Sequence, residues 1–378
     1  MKKKVYDIGN EIRLWSSFVP QEAGAEVQKV LKSKWINTGK QEKLFRDTFA
    51  RRFGIPYCVA TNSGTSSLRA SLAALGVSGG DEVVSTPYTF IATNTAILEQ
   101  GATPVFADIQ YDTLNIDPKS IVEKITRKTK AIICVHYGGN PCDMNEIRKI
   151  GRDHNLPIIE DAAHALGSKY KGQYIGSKGD IIAFSLQAVK VITCGDGGMI
   201  ATPHEHYYKE LKKRVWFGID RDVKRVGLID PLPDVIDVLG FKYNMNDIAA
   251  TLGLAGLKNF DRALARRKEI GETYRKEFAN CSKIKLLHYS PEKSPNYQIF
   301  PIHVENRLKF AKFMHERSIM VGVNNRRNDR YSIFGRINNL PILKRVDEDT
   351  ILLPIHYDLT DSDVERIIKR VKEYDRTQ

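Results

Sequence analysis

Cysteine is scarce and scattered: five residues, at positions 58, 134, 142, 194 and 281, in a chain of 378. No two stand in a C-x-x-C pair, so neither a disulfide framework nor a zinc site is expected, and the thiols are read as reduced. No apolar run approaches the length needed to cross a bilayer. The start, MKKKVYDIGNEIRLW, is basic but lacks the apolar stretch of a secretory signal, which points to the cytoplasm. G-x-x-x-x-G-K-[ST] is missing, which leaves a nucleoside triphosphatase loop unsupported, and the lack of G-x-G-x-x-G weakens a dinucleotide-dependent oxidoreductase. Internal repeats, low-complexity tracts and flexible linkers are not seen either.

Acidic residues are in deficit: 58 Lys and Arg face 45 Asp and Glu, a formal charge of +13. Such a charge suits nucleic acid, an anionic surface or an anionic small substrate. The basic residues are spread along the chain without an RNA-binding aromatic motif, a helix-turn-helix pattern or zinc-finger spacing, so nucleic acid is not expected. Hydrophobic content of 42% and charged content of 27% are those of an ordinary soluble protein. The length exceeds what one core usually supports, so a large domain with a smaller one is expected.

From about residue 21 to 200, short apolar β-rich runs alternate with helical patterns, the mark of an α/β domain with a mainly parallel sheet. YCVATN, DEVVSTP, TPVFADI, KAIICVHY, LPIIEDAA and GDIIAFSL read as strands. QEKLFRDTFARRFG reads as a helix with Leu44, Phe45 and Phe49 on one face, ending at Gly54. Beyond about residue 245 a long helical pattern, broken near 258–261, leads into a second region. There YQIFPIHV and IMVGVNN read as strands, RLKFAKFMHERS and DSDVERIIKRVKEYD as helices. In open α/β sheets ligands bind at the C-terminal ends of strands, so function is sought there.

Lys190 is the most informative residue. It closes AFSLQAVK and precedes VITCGDGG, a run of small residues and glycines. An amine among apolar residues and tight turns is poorly hydrated, which disfavours the ammonium form and leaves a nucleophile able to form an imine with an aldehyde. That is the chemistry of pyridoxal phosphate; the ordinary alternative is a solvated lysine at a strand end. Asp161 ends the apolar strand LPIIED, where an ionised carboxylate beside a pyridine nitrogen would keep that nitrogen protonated. Its neighbour Glu160 should face the other way by strand alternation. A helix N-cap is the alternative for Asp161.

The segment TNSGTSSL at 61–68 carries a strand end through a glycine into a helix, where Thr65 and Ser66 amides could cradle a phosphate with the Ser185 hydroxyl. An ordinary capped helix is the other reading. Phe90, in STPYTFIATN, could stack on a flat ring or simply pack in the core.

These residues stand within blocks that resemble the DegT/StrS-type sugar aminotransferases of the fold-type I pyridoxal phosphate enzymes. The blocks span nearly the whole chain: WINTGKQEKLF, SGTSSLRASLAALGVSGGDEVVSTPYTFIAT, GATPVFADI, VHYGGNPCDM, IIEDAAHALGSKYKG, GDIIAFSLQAVKVITCGDGGMI, FKYNMNDIAA and LLPIHYDLT. The resemblance implies a large domain, 1–250, with a mainly parallel seven-stranded sheet flanked by helices, and a smaller α+β domain, 251–378. It implies that Lys190 forms the imine with pyridoxal 5'-phosphate and then shuttles protons, that Asp161 pairs with the ring nitrogen, and that His164 lies near the ring substituents. Thr65, Ser66 and Ser185 would hold the phosphate and Phe90 would stack on the ring. Asn244, in KYNMND, would reach the phosphate in the partner subunit, which makes the protein a homodimer with shared sites. The implied reaction passes an amino group from L-glutamate to a keto group of a nucleotide-linked deoxysugar, for an amino sugar of polysaccharide or glycoconjugate synthesis; no metal is implied.

The chain also departs from the family pattern. Asp196 stands where a glutamate is frequent, Gln187 where a histidine is, and the region after Tyr297 lacks the usual histidine-tyrosine-proline feature in VGVNNRRNDRYSIFG. Arg326, Arg327 or Arg330 is therefore expected to meet the substrate's phosphates or carboxylate, with WFGIDR at 216–221 nearby; a solvated basic loop is the alternative. A related class with histidine in place of the lysine dehydrates or deoxygenates sugars, and Lys190 speaks against it. A regulatory protein on the same fold is opposed by the intact Lys190, Asp161 and 61–68 segment together. A keto-acid sugar, a non-nucleotide keto-sugar or a cyclitol ketone remains a possible acceptor, because pocket details choose it.

Overall fold

The computed structural model describes residues 11–222, 236–335 and 338–376; the basic start at 1–10 lies outside them. The first half of the chain runs α1 (Ala23–Ser33), α2 (Lys40–Phe53), β1 (Tyr57–Thr61), α3 (Gly64–Ala74), β2 (Glu82–Ser85), α4 (Ile91–Leu98), β3 (Thr103–Phe106), α5 (Pro118–Lys124), β4 (Thr129–Val135), α6 (Met144–Asp153) and β5 (Ile158–Asp161). There follow β6 (Lys169–Tyr170), β7 (Gln173–Tyr174), β8 (Ile181–Ser185), β9 (Gly198–Thr202), α7 (Glu205–Val215), α8 (Asp247–Lys258) and α9 (Phe260–Phe278). The remainder is β10 (Ile284–Leu286), β11 (Lys293–Ser294), β12 (Phe300–Val304), α10 (Arg307–His315), α11 (Pro341–Asp349), β13 (Thr350–Leu353) and α12 (Asp361–Arg376).

Seven strands form the main sheet in the order β1-β9-β8-β5-β4-β2-β3. Only β9 runs against its neighbours β1 and β8. Helices cover both faces, which is why the central strands are nearly unbroken apolar runs. Alternation sorts their side chains: Ile132, Ile158 and Ile182 join one core with Phe45 and Phe49, while Ile133, Ile159 and Ala183 join another with Leu68 and Leu72. Six of the seven strands correspond to runs read from the sequence. β9 was hidden because GMIAT is short and follows a glycine-rich turn.

Helix α2 corrects one detail. Its buried face is Phe45, Phe49 and Phe53, spaced four apart, whereas Leu44 lies 50% exposed because one residue rotates the helix by about 100°. Gly54 ends the helix at φ 64°, a left-handed conformation suited to glycine.

The break near 258–261 is real: α8 ends at Lys258 and α9 starts at Phe260. The domain boundary expected at 250 falls inside α8, however, and Leu257, Phe260 and Leu264 still pack in the large domain's core. The change of core occurs along α9, whose later residues Ile270, Tyr274 and Phe278 pack with Phe300, Ile302, Ile351 and Ile367 of the second core. That core covers an antiparallel sheet ordered β10-β12-β13. The N-terminal segment, expected with the large domain, pairs Ile12 with Ile319 of the second region. IMVGVNN makes only isolated bridges, at Ile319 and Gly322, instead of a full strand.

Candidate active site

A cavity of about 380 Å³ opens where β5 and β8 end and α3 and α4 begin. Ser63, Gly64, Thr65, Phe90, Asp161, His164, Ser185 and Lys190 all line it. Residues that are up to 127 positions apart in the chain, from Ser63 to Lys190, thus meet because parallel strands deliver their C-terminal ends to one edge of the sheet.

Asp161 is the last residue of β5 and is 4% exposed. One carboxylate oxygen accepts from the Thr93 hydroxyl at 2.7 Å and the other from the Ala163 amide at 3.0 Å. Burial pushes its pKa up, opposed by these donors and by the positive field of Lys190. Thr93 is a supporting residue that sequence reading did not single out; it stands one helical turn after the Thr89 hydroxyl, 2.9 Å away. Glu160 does face the other side, where it meets His136 at 3.0 Å and Arg148 at 2.8 Å.

Lys190 sits in a turn braced from within. Its amide donates to the Gln187 carbonyl at 3.0 Å, and the Cys194 amide closes the loop onto the Leu186 carbonyl at 2.8 Å. Gln187, where the family often has histidine, accepts from the Val189 amide through its side chain at 3.2 Å. Desolvation of the amine brings its pKa down to about 8, against the attraction of Asp161. A neutral, nucleophilic lysine is therefore accessible near neutral pH. His164 accepts from the Gly138 amide through Nδ1 at 3.3 Å, and burial together with Lys190 holds the imidazole well below its usual pKa, so the ring is neutral.

At the start of α3 the structure redistributes the expected roles. Ser63 caps the helix by accepting from the Ser66 amide at 3.0 Å, and the Ser66 hydroxyl donates to Asn62 at 2.6 Å. Ser66 is thus buried and engaged, which removes it from the cradle. Thr65 lines the cavity, and Gly64 and Thr65, as the first two residues of α3, have amides with no acceptor within the helix. Helix N-termini leave such donors free for an anion. Gly64 escaped the sequence reading as a ligand, yet a Cβ there would lie 2.7 Å from Ser185 Cβ, so glycine is what lets the helix end and Ser185 share one cradle.

Phe90 is 63% exposed at the N-terminal end of α4 and borders the cavity, so plain core packing is not its role. Asn244 lies outside this cavity in its own chain. It borders a separate one of about 250 Å³ with Trp216 and Arg221, donates to Thr38 Oγ1 at 2.6 Å and has no partner for its Oδ1 among the described residues. WFGIDR is accordingly grouped with Asn244, and not with the 326–330 arginines.

Those arginines divide. Arg327 is buried and grips Asp329 with two bonds of 2.7 Å, so its guanidinium is committed inside the protein. Arg330 pairs with Asp347 at 2.8 Å. Arg326 is exposed but does not line the cavity; Asn324 and Asn325 do.

An apolar-floored cavity with an aromatic plate, a strand-end carboxylate, a half-buried lysine and a free pair of helix amides fits a flat phosphorylated pyridine. The sequence pattern of the DegT/DnrJ/EryC1/StrS aminotransferase family matches residues 19–372. The chain belongs to this aminotransferase family. Among curated relatives, an uncharacterised protein of Methanocaldococcus jannaschii is 38% identical, over 94% of this chain and 95% of that one. The fold is also similar to the sugar aminotransferase CalS13 of Micromonospora echinospora, with a TM-score of 0.90 at 30% identity over 96% of this chain and 99% of that one. A Streptococcus pneumoniae protein, Spr1654, solved in its PLP form, gives 0.89 at 30% identity over 97% of this chain and all of that one (100%). The chain is an aminotransferase of a family that works with pyridoxal 5'-phosphate.

Proposed function

We propose that this aminotransferase moves an amino group from L-glutamate to a keto group of a nucleotide-linked deoxysugar, giving an amino sugar for polysaccharide or glycoconjugate synthesis. The observation that carries the reading is the convergence of Lys190, Asp161 and the free start of α3 on one cavity. Pyridoxal 5'-phosphate, when bound, supplies an aldehyde and an electron-accepting ring. Gly64 and Thr65 amides with the Ser185 hydroxyl would hold its phosphate, Phe90 would lie against the ring, and Asp161 would keep the ring nitrogen protonated. Lys190 moves protons at the reacting carbons in both half-reactions, a task suited to an amine with a pKa of about 8. Neutral His164 lies beside the ring substituents without adding charge.

The protein acts as a homodimer in the cytoplasm, with Asn244 reaching the phosphate in the partner subunit. Its position outside its own cavity and its unpartnered Oδ1 support that reading. Among the described residues no helix is long and apolar enough to cross a membrane. The positive charge of +13 suits steering of a diphosphate substrate.

Purified protein supplied with L-glutamate and a panel of keto-sugar nucleotides should form 2-oxoglutarate with at least one. No product with any of them, but turnover of a free keto-sugar or cyclitol ketone, would move the acceptor to that class. Borohydride should fix the cofactor at Lys190; label at another lysine overturns the site assignment.

A further inference from the structure

The Lys190 turn is held from outside by a residue of the second region. Gln298, 2% exposed, donates through Nε2 to the Val189 carbonyl at 2.9 Å. The backbone that carries Gln298 is itself pinned on the other side of the site: its amide donates to Asn296 Oδ1 at 2.9 Å, and Asn296 Nδ2 donates to the Leu166 carbonyl at 2.9 Å, five residues beyond Asp161. Between them Tyr297 takes φ 53°, a conformation an aromatic residue adopts only when its surroundings impose it. Its ring lies flat against Gly271 of α9, where a Cβ would come within 2.6 Å of it.

Arg267, one turn before Gly271, closes this segment. It is 3% exposed, and its Nη1 donates to the carbonyls of Gln298 at 3.1 Å, Ile355 at 3.0 Å and Tyr297 at 3.4 Å. These carbonyls engage Nη1 but do not cancel the charge of the guanidinium. Among the described residues no carboxylate forms an ion pair with it, and exposed Asp358 acts only at longer range. A buried guanidinium without a counterion is costly, which is why such groups are rare away from a site that uses them.

We propose that Arg267 and Gln298 are positioning residues for Lys190: Gln298 fixes the turn that carries the lysine, and Arg267 fixes Gln298 while adding a buried positive charge to the segment that braces that turn. The inference rests on Lys190 being the reactive lysine. The charged and titratable groups facing that amine are Asp161 from β5, neutral His164 from the following loop, Asp196 across the cavity and Arg267 from α9. Asp161 favours the ammonium, whereas desolvation and Arg267 oppose it. Facing Arg267 itself are Asp358 and His356.

The experiment is competitive acetylation of cofactor-free protein across pH, read by mass spectrometry on the Lys190 peptide. Wild type should titrate near 8. Arg267→Met should raise the inflection, while burial still holds it below that of a free lysine, and Arg267→Lys should restore it. Arg267→Gln, which removes the charge but keeps a side-chain donor for the same carbonyls, should shift the inflection upward too and keeps the test open if Arg267→Met fails to fold. Gln298→Leu should leave the inflection in place but speed amide exchange of the 187–194 peptide by about tenfold. An unmoved inflection in both Arg267→Met and Arg267→Gln overturns the charge role, and unchanged exchange in Gln298→Leu overturns the clamp. Failure of borohydride to fix the cofactor at Lys190 in wild type would instead defeat the underlying cofactor reading.

Discussion

The floor of the cavity and the arginine-bearing loop at 324–330 both carry charge, but they treat it in opposite ways. On the floor, Asp161 is satisfied by a hydroxyl and an amide, and Lys190 makes no ion pair among the described residues. In the loop, Arg327 and Arg330 are each matched to an aspartate of the same protein. A group hydrogen-bonded but left without its counterion retains an electrostatic demand that a ligand can meet; a bidentate ion pair does not. Incomplete pairing at a strand end is thus a better guide to chemistry here than abundance of charge. Ser66, by contrast, is fully bonded within the helix cap, to Ser63 through its amide and to Asn62 through its hydroxyl.

The sharpest way to test that contrast is Lys190→Ala, which should lower 2-oxoglutarate formation by more than about 10⁴-fold, because both proton transfers lose their carrier. Asp161→Asn keeps the shape but removes the charge and should cost about 10²-fold or more in kcat with little change in the KM for glutamate. On the loop side, Arg327→Ala leaves Asp329 buried without its partner and should destabilise the fold by about 3–5 kcal/mol, seen as a lower urea midpoint, while the sugar's KM stays at the wild-type value. A selective rise in KM without loss of stability would return Arg327 to the substrate. Arg326→Glu should raise the KM for an anionic sugar by about tenfold at low salt and less at high salt, since the exposed side chain acts through a screened field. At the small end, Leu44→Ala should change stability by no more than about 0.5 kcal/mol in denaturant titration, although Leu44 adjoins the buried Phe45.

Much of the site was legible before the fold. Strand ends and helix starts are set by local patterns, so Asp161 at the end of LPIIED, Thr65 after the glycine and Lys190 at the end of AFSLQAVK could be placed at one edge of a parallel sheet. Thr93 and Gly64 were harder to see, because a threonine inside a helix and a glycine at its start have ordinary uses that only a neighbouring strand changes. The change of core was hard to see for a related reason: α9 is one continuous helix whose two ends pack in different cores, and helical periodicity does not say which core a face meets.

Sequence by itself determined the fold class and the order of the sheet-borne residues, including the place of Lys190 just after a strand end, since each depends on periodicity, caps and strand ends within a few residues. Only tertiary structure decided which charges stay free. Arg267 meets the Ile355 carbonyl 88 positions away, and Gln298 meets Val189 across 109. Pairing over such separations depends on how two cores are docked, and no local pattern encodes it.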